Sequence, residues 1–273
     1  MKQNKYKQLR DQIKNHKVTF TVYVLLRALV VAALVFSCVV GKYENVFVCA
    51  LCLILFLVPA FIEQNFSIKL PTVLEVIILL FIFAAEILGE MNSYYTKFPF
   101  WDTMLHTING FLCAAIGFSL VDLLNTNKKA KFQLSPFYLA AVAFCFSMTI
   151  GILWEFFEFS CDALLHTDMQ KDTVVHTISS VLLNPTGLNT PIVIKDVAQT
   201  AVNGQVLPIN GYLDIGLYDT MKDLFVNFIG AVVFSIIGYF YVKNRGRGKF
   251  AKHFIPVVEK NNENKEDKKE DEK

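Results

Sequence analysis

Charge is scarce in this chain. Only 18% of its 273 residues are Asp, Glu, Lys or Arg, against about 25% in an ordinary soluble domain. With so little polar surface, the chain is poorly equipped to face water on all sides. Its net charge is only +2, and no nucleic-acid partner is expected. There is also no disulfide framework. Cys38, Cys49, Cys52, Cys113 and Cys145 sit inside apolar runs, and Cys161 ends one. The pair Cys49-x-x-Cys52 lies mid-run with no histidine nearby and reads as small buried side chains. No A-x-A site follows the first apolar run, so it reads as a retained span rather than a cleaved leader.

Several signatures of membrane enzymes are missing too. The chain has no H-E-x-x-H zinc motif and no G-x-S-x-G nucleophile elbow. It also has no G-x-G-D pair and no D-G-x-x-A-R run. These absences argue against a zincin, a serine hydrolase, an intramembrane aspartyl protease and an alcohol phosphotransferase.

What the chain does have is hydrocarbon. Hydrophobic residues make up 54% of it, including 25 phenylalanines. Apolar runs fall near 18–40, 46–62, 71–89, 103–121, 136–160 and 219–242. A helix needs about 20 residues to cross a bilayer. The runs lack the alternation of barrel strands, so the fold class is an all-α integral membrane protein, a six-transmembrane helix bundle. Its expected parts are a basic tail (1–17), a membrane domain (18–242) and a charged, disordered tail (243–273).

Lys and Arg set the orientation. Lys2, Lys5, Lys7, Arg10, Lys14 and Lys17 precede the first span, and Lys128, Lys129 and Lys131 follow the fourth. Lys243, Arg245, Arg247, Lys249 and Lys252 follow the sixth. Both termini are therefore expected in the cytoplasm. Residues 163–218 then form a long extracytoplasmic loop, with short strands near Val174–Ile178 and Ile192–Ile194 and a small β hairpin at Asn203-Gly204.

With that topology the acids gather at one boundary. Glu86 and Glu90 close the third span, spaced i, i+4. Asp102 and His106 open the fourth with the same spacing, followed by Asn109. Glu155, Glu158 and Asp162 close the fifth, and Asp219, Asp223 and Asn227 open the sixth. Each set shares a helical face. Asp102 and Asp219 can serve as N-caps. His106 and Asp223 lie a turn deeper, and the glutamates sit at C-terminal ends where the macrodipole disfavours them. Ionisable side chains inside spans are costly and mark function.

The core candidates, for catalysis or for a metal, are therefore His106, Glu155, Glu158 and Asp223. Asp102, Asp162, Asp219 and Asn227 stand as supports. His166, Asp168, Asp172 and His176 in the outer loop could add ligands from above. Such a set could hold a divalent metal ion, share protons for acid–base catalysis, or pass ions.

The pieces Trp101-Asp102-Thr103-Met104-Leu105-His106, Trp154-Glu155-Phe156-Phe157-Glu158 and Tyr218-Asp219-Thr220-Met221-Lys222-Asp223 resemble the YjdF-like family of uncharacterised bacterial inner-membrane proteins. Asp102-x-x-x-His106 and Asp219-x-x-x-Asp223-x-x-x-Asn227-x-x-Gly230 are more loosely similar to VanZ-like membrane proteins. The resemblance implies a multi-pass protein of the bacterial cell membrane and brings no settled reaction. The expected partners are the lipid bilayer and a lipid-linked or cell-envelope substrate. An ion-coupled transporter and a non-catalytic envelope or stress-tolerance factor are the alternatives.

Overall fold

The computed structural model describes residues 17–66, 68–126, 134–244, 253–255 and 257–258. Most of the basic residues that set the expected orientation lie outside these. Among the described residues, six helical stretches are long and apolar enough to cross a membrane. They are Val18–Val40, Tyr43–Asn65, Thr72–Met91, Trp101–Asp122, Pro136–Leu165 and Leu217–Lys243.

In chain order the helices are α1 (Lys17–Val40), α2 (Tyr43–Leu55), α3 (Val58–Phe66), α4 (Thr72–Phe83), α5 (Tyr94–Lys97), α6 (Trp101–Thr126), α7 (Pro136–Leu165) and α8 (Leu217–Lys243). The second span is longer than its apolar run suggests, and it is broken. Phe56 and Leu57 form a turn between α2 and α3, because Pro59 has no N–H to donate back to the preceding turn. The third span ends as a π-helix over Ala84–Met91. Glu86 is half-buried and Glu90 is exposed.

The chain divides into two compact units, Met1–Thr149 with Val226–Lys273, and Ile150–Phe225. The first holds the apolar core. Val30, Cys49, Cys52, Leu74, Phe118, Leu139 and Phe234 are fully enclosed there. Cys49 and Cys52 behave as the sequence suggests, and Cys49 Sγ lies 3.9 Å from Met91 Sδ.

Close packing in this unit centres on two glycines. A Cβ on Gly110 would overlap the backbone carbonyl of Asn227, and one on Gly230 would overlap that of Thr107. The α6 and α8 backbones are thus in contact, as small residues permit in membranes. Polar bonds hold the crossing. Asn109 Nδ2 donates to Asn227 Oδ1 at 3.3 Å, and Ser147 Oγ of α7 donates to the Gly110 carbonyl at 2.7 Å.

Most of the tail expected to be disordered, 243–273, lies outside the described residues. Phe254 and Ile255 are buried, with the Phe254 ring edge-on to Phe111 at 5.1 Å. Val257–Val258 forms strand β8, paired antiparallel with β1, Ile68–Lys69. Burial of Phe254 and Ile255 offsets the cost of ordering those two side chains.

The second unit carries the loop strands. These are β2 (Val174–Val175), β3 (Ile178–Ser180), β4 (Ile192–Ile194), β5 (Ala201–Val202), β6 (Gln205–Val206) and β7 (Tyr212–Leu213). They pair as β2 with β7, β3 with β4, and β5 with β6, all antiparallel. The β5–β6 hairpin turns at Asn203 and Gly204, both at positive φ, as the Asn-Gly pair predicts.

Replacing Gly110 or Gly230 by valine should force α6 and α8 apart. Overpacking of this kind costs about 1–3 kcal/mol. Thermal unfolding of the detergent-solubilised protein should show each variant melting well below wild type, and an unchanged melting temperature would contradict the crossing described here.

Candidate functional site

The expected site residues distribute over both units. In the first, Asp102 lies at the start of α6 and His106 one turn on. Asp102 Oδ1 is 3.4 Å from His106 Nε2, and His106 is buried. A carboxylate beside an imidazole sets the ring's orientation and which of its nitrogens carries the proton. That is the pairing the i, i+4 spacing anticipates.

Asn227 belongs to the same unit but has a structural role. Besides Asn109, its amide reaches the Ser147 carbonyl at 3.5 Å and Met148 Sδ at 3.6 Å. A fully buried amide needs such partners. It ties α6, α7 and α8 together at the glycine crossing.

In the second unit, Glu155, Glu158 and Asp223 are 4%, 8% and 1% exposed. The Trp154 indole N–H donates to Glu158 Oε1 at 2.9 Å, one helical turn apart. Lys222 Nζ stands 3.6 Å from Asp223 Oδ1 and 3.0 Å from Asp219 Oδ1. Three carboxylates are thus sequestered in helices of span length, with a lysine at the edge of one of them. Oxygen donors of this type suit hard divalent cations.

Two expected supports turn out to be fasteners for the loop. Asp162 Oδ1 accepts from the Met169 N–H and the Thr167 hydroxyl, each at 2.7 Å, and Oδ2 accepts from the Gln170 N–H at 2.8 Å. It thereby fixes the chain as it leaves α7, where His166 adopts a left-handed conformation with φ 57°. Asp219 Oδ2 accepts from the Lys171 N–H at 2.9 Å. It is the third residue of α8, not its cap. The residue that works at the start of α8 is Asp214, which accepts from the N–H groups of Thr173 and Tyr218, each at 2.7 Å.

Asp214 was not among the sequence candidates. Its signal was an aspartate five residues ahead of the apolar run, in a segment read as loop.

Of the loop residues expected to add ligands, His176 and Asp168 have local partners. His176 Nδ1 is 3.1 Å from the Val197 carbonyl, and Asp168 pairs with Lys171 at 3.7 Å. Desolvation by the surrounding loop, then the charges of Asp168 and Asp214, push the Asp172 carboxyl above its ordinary value. That crowding disfavours a further negative charge at this corner.

The family described as "Predicted membrane protein (DUF2238)" matches residues 22–244. An uncharacterised protein of Thermotoga maritima is 27% identical over 84 residues, covering 31% of this chain and 41% of that protein. The chain therefore spans about two fifths of the length of this curated relative. No solved structure matches.

Substituting Asp162 by alanine removes the acceptor of these loop bonds. Hydrogen bonds to a charged group are worth about 1.5–3 kcal/mol, so the amides of Met169 and Gln170 should lose protection by at least that amount. Hydrogen exchange is the measurement, and amides as protected as wild type would show that the loop is held by something else.

Proposed function

Since this chain belongs to the DUF2238 family of predicted membrane proteins, we propose that it is a cell-membrane enzyme using buried carboxylates and a divalent cation on a lipid-linked or envelope substrate. The observation that carries this reading is the burial of Glu155, Glu158 and Asp223 in helices apolar enough to cross a membrane. An ionised side chain costs about 2.5–3.5 kcal/mol at the centre of a span and less toward its ends, and simple structural stapling needs no such expense. Asp162, Asp214 and Asp219, which do staple, serve nearer the helix ends.

In this reading Glu158 and Asp223 hold the cation. The Trp154 indole N–H orients Glu158, the outer-shell help that metal carboxylates commonly receive. The cation would polarise a substrate oxygen or lower the pKa of a bound water. Glu155 is the proton acceptor in the same unit. In the other unit His106, set by Asp102, is the alternative base, and its imidazole is a further candidate ligand for a metal.

The bacterial plasma membrane is the proposed location, with both termini cytoplasmic and residues 163–218 outside. The distribution of Lys and Arg supports that orientation. The YjdF-like resemblance fits the family assignment. The VanZ-like likeness rests on residue spacing alone.

Elemental analysis tests the chemistry. Protein purified and equilibrated with Mg²⁺, Mn²⁺, Zn²⁺ and Fe²⁺ should retain one of them, and Glu158→Ala or Asp223→Ala should lose it. Trp154→Phe should weaken retention by about 10–100-fold, as other outer-shell changes do. Wild-type protein that comes through metal-free would reject the cation and favour a non-catalytic envelope role. Topology is tested separately. Reporter fusions at the two termini should both read cytoplasmic, and an external signal from either would overturn the orientation.

A further inference from the structure

The first unit carries a second feature, far along α8 from its acidic end. The early turns of α7 and the late turns of α8 border an open groove of about 400 Å³, within the 300–1,000 Å³ usual for ligand sites. Its α7 side repeats at helical spacing. Ala140 and Ala141 leave space between Phe137 and Phe144. The Phe144 ring is braced edge-on by Phe228 at 5.4 Å, so this wall is fixed by packing. Ser235 and Tyr239 line the α8 side.

One observation separates this groove from an ordinary dent in a lipid-facing surface. Lys243, one turn beyond Tyr239, holds its ammonium 5.5 Å from the Tyr239 ring. In the sequence Arg245, Arg247, Lys249 and Lys252 follow. From Ser235 to Lys243 is about 12 Å along the helix, a span over which a lipid tail can run from headgroup level into the bilayer.

We propose that this groove binds a phospholipid with an anionic headgroup. One acyl chain lies between Phe137 and Phe144 over the two alanines, and the phosphate rests at Lys243. Charge complementarity chooses the lipid, because a juxtamembrane basic residue attracts anionic headgroups. The small residues choose the place, because they let a chain approach the helix backbones. A second copy of the protein could use the same small residues, but it would bring Lys243 against an identical positive charge.

Native mass spectrometry of the full chain released from detergent micelles tests this. The probes are phosphatidylglycerol and phosphatidylcholine with identical acyl chains, supplied at equal concentration. Wild type should retain phosphatidylglycerol in preference. Lys243→Gln, at an exposed position, should cut that retention by about fivefold, the weight of one basic residue at an anionic surface. Ala141→Phe should fill the groove and remove retention of both lipids. Equal retention of the two lipids by wild type would overturn the proposal. So would undiminished phosphatidylglycerol on Ala141→Phe protein that still runs as a folded species, or a wild-type dimer that forms without lipid and is lost in Ala141→Phe.

Discussion

Inside a bilayer no water is at hand to satisfy a polar group, and that constraint governs this molecule. Every N–H, carbonyl, amide or carboxylate must find its partner within the protein. The glycine crossing shows how far this reaches. Gly110 and Gly230 let two backbones touch, and the approach then allows Asn109, Asn227 and Ser147 to bond across three helices. Apolar attraction between helices is weak when lipid tails are equally apolar. Fit and polar pairing therefore decide which helices associate.

The same rule sorts the acidic residues into two kinds. Asp162, Asp214 and Asp219 each take backbone N–H groups from a loop or helix start. Their charge is spent on holding the chain. Glu155, Glu158 and Asp223 lie deeper in their helices and are almost wholly enclosed. A carboxylate kept there is expensive. It is this contrast within one unit, not the number of acids, that separates the enclosed carboxylates from those that hold the chain.

Much of this was readable from residue order, and the rest had physical reasons to be hidden. Six spans followed from uninterrupted apolar length. The Asn203-Gly204 hairpin followed from two residues that tolerate positive φ. Pairing of Asp102 with His106 followed from helical spacing. The π-helix over Ala84–Met91 did not, because spacing arguments presume the common helical period. Nor did the duties of Asp162 and Asp219. Their partners Met169, Gln170 and Lys171 belong to a loop whose path depends on contacts with the start of α8, 48 residues away in the case of Lys171 and Asp219. The role of Asp214 was concealed for the same reason.

The return of Phe254 and Ile255 into the first unit has a consequence for how the protein is made. The spans enter the membrane one after another as synthesis proceeds, yet the core beside Phe111 is complete only when residues well past the sixth span have left the ribosome. Until then the place that Phe254 fills beside Phe111 stands open. Insertion and final packing are therefore separate events, and a segment made after all six spans completes the core.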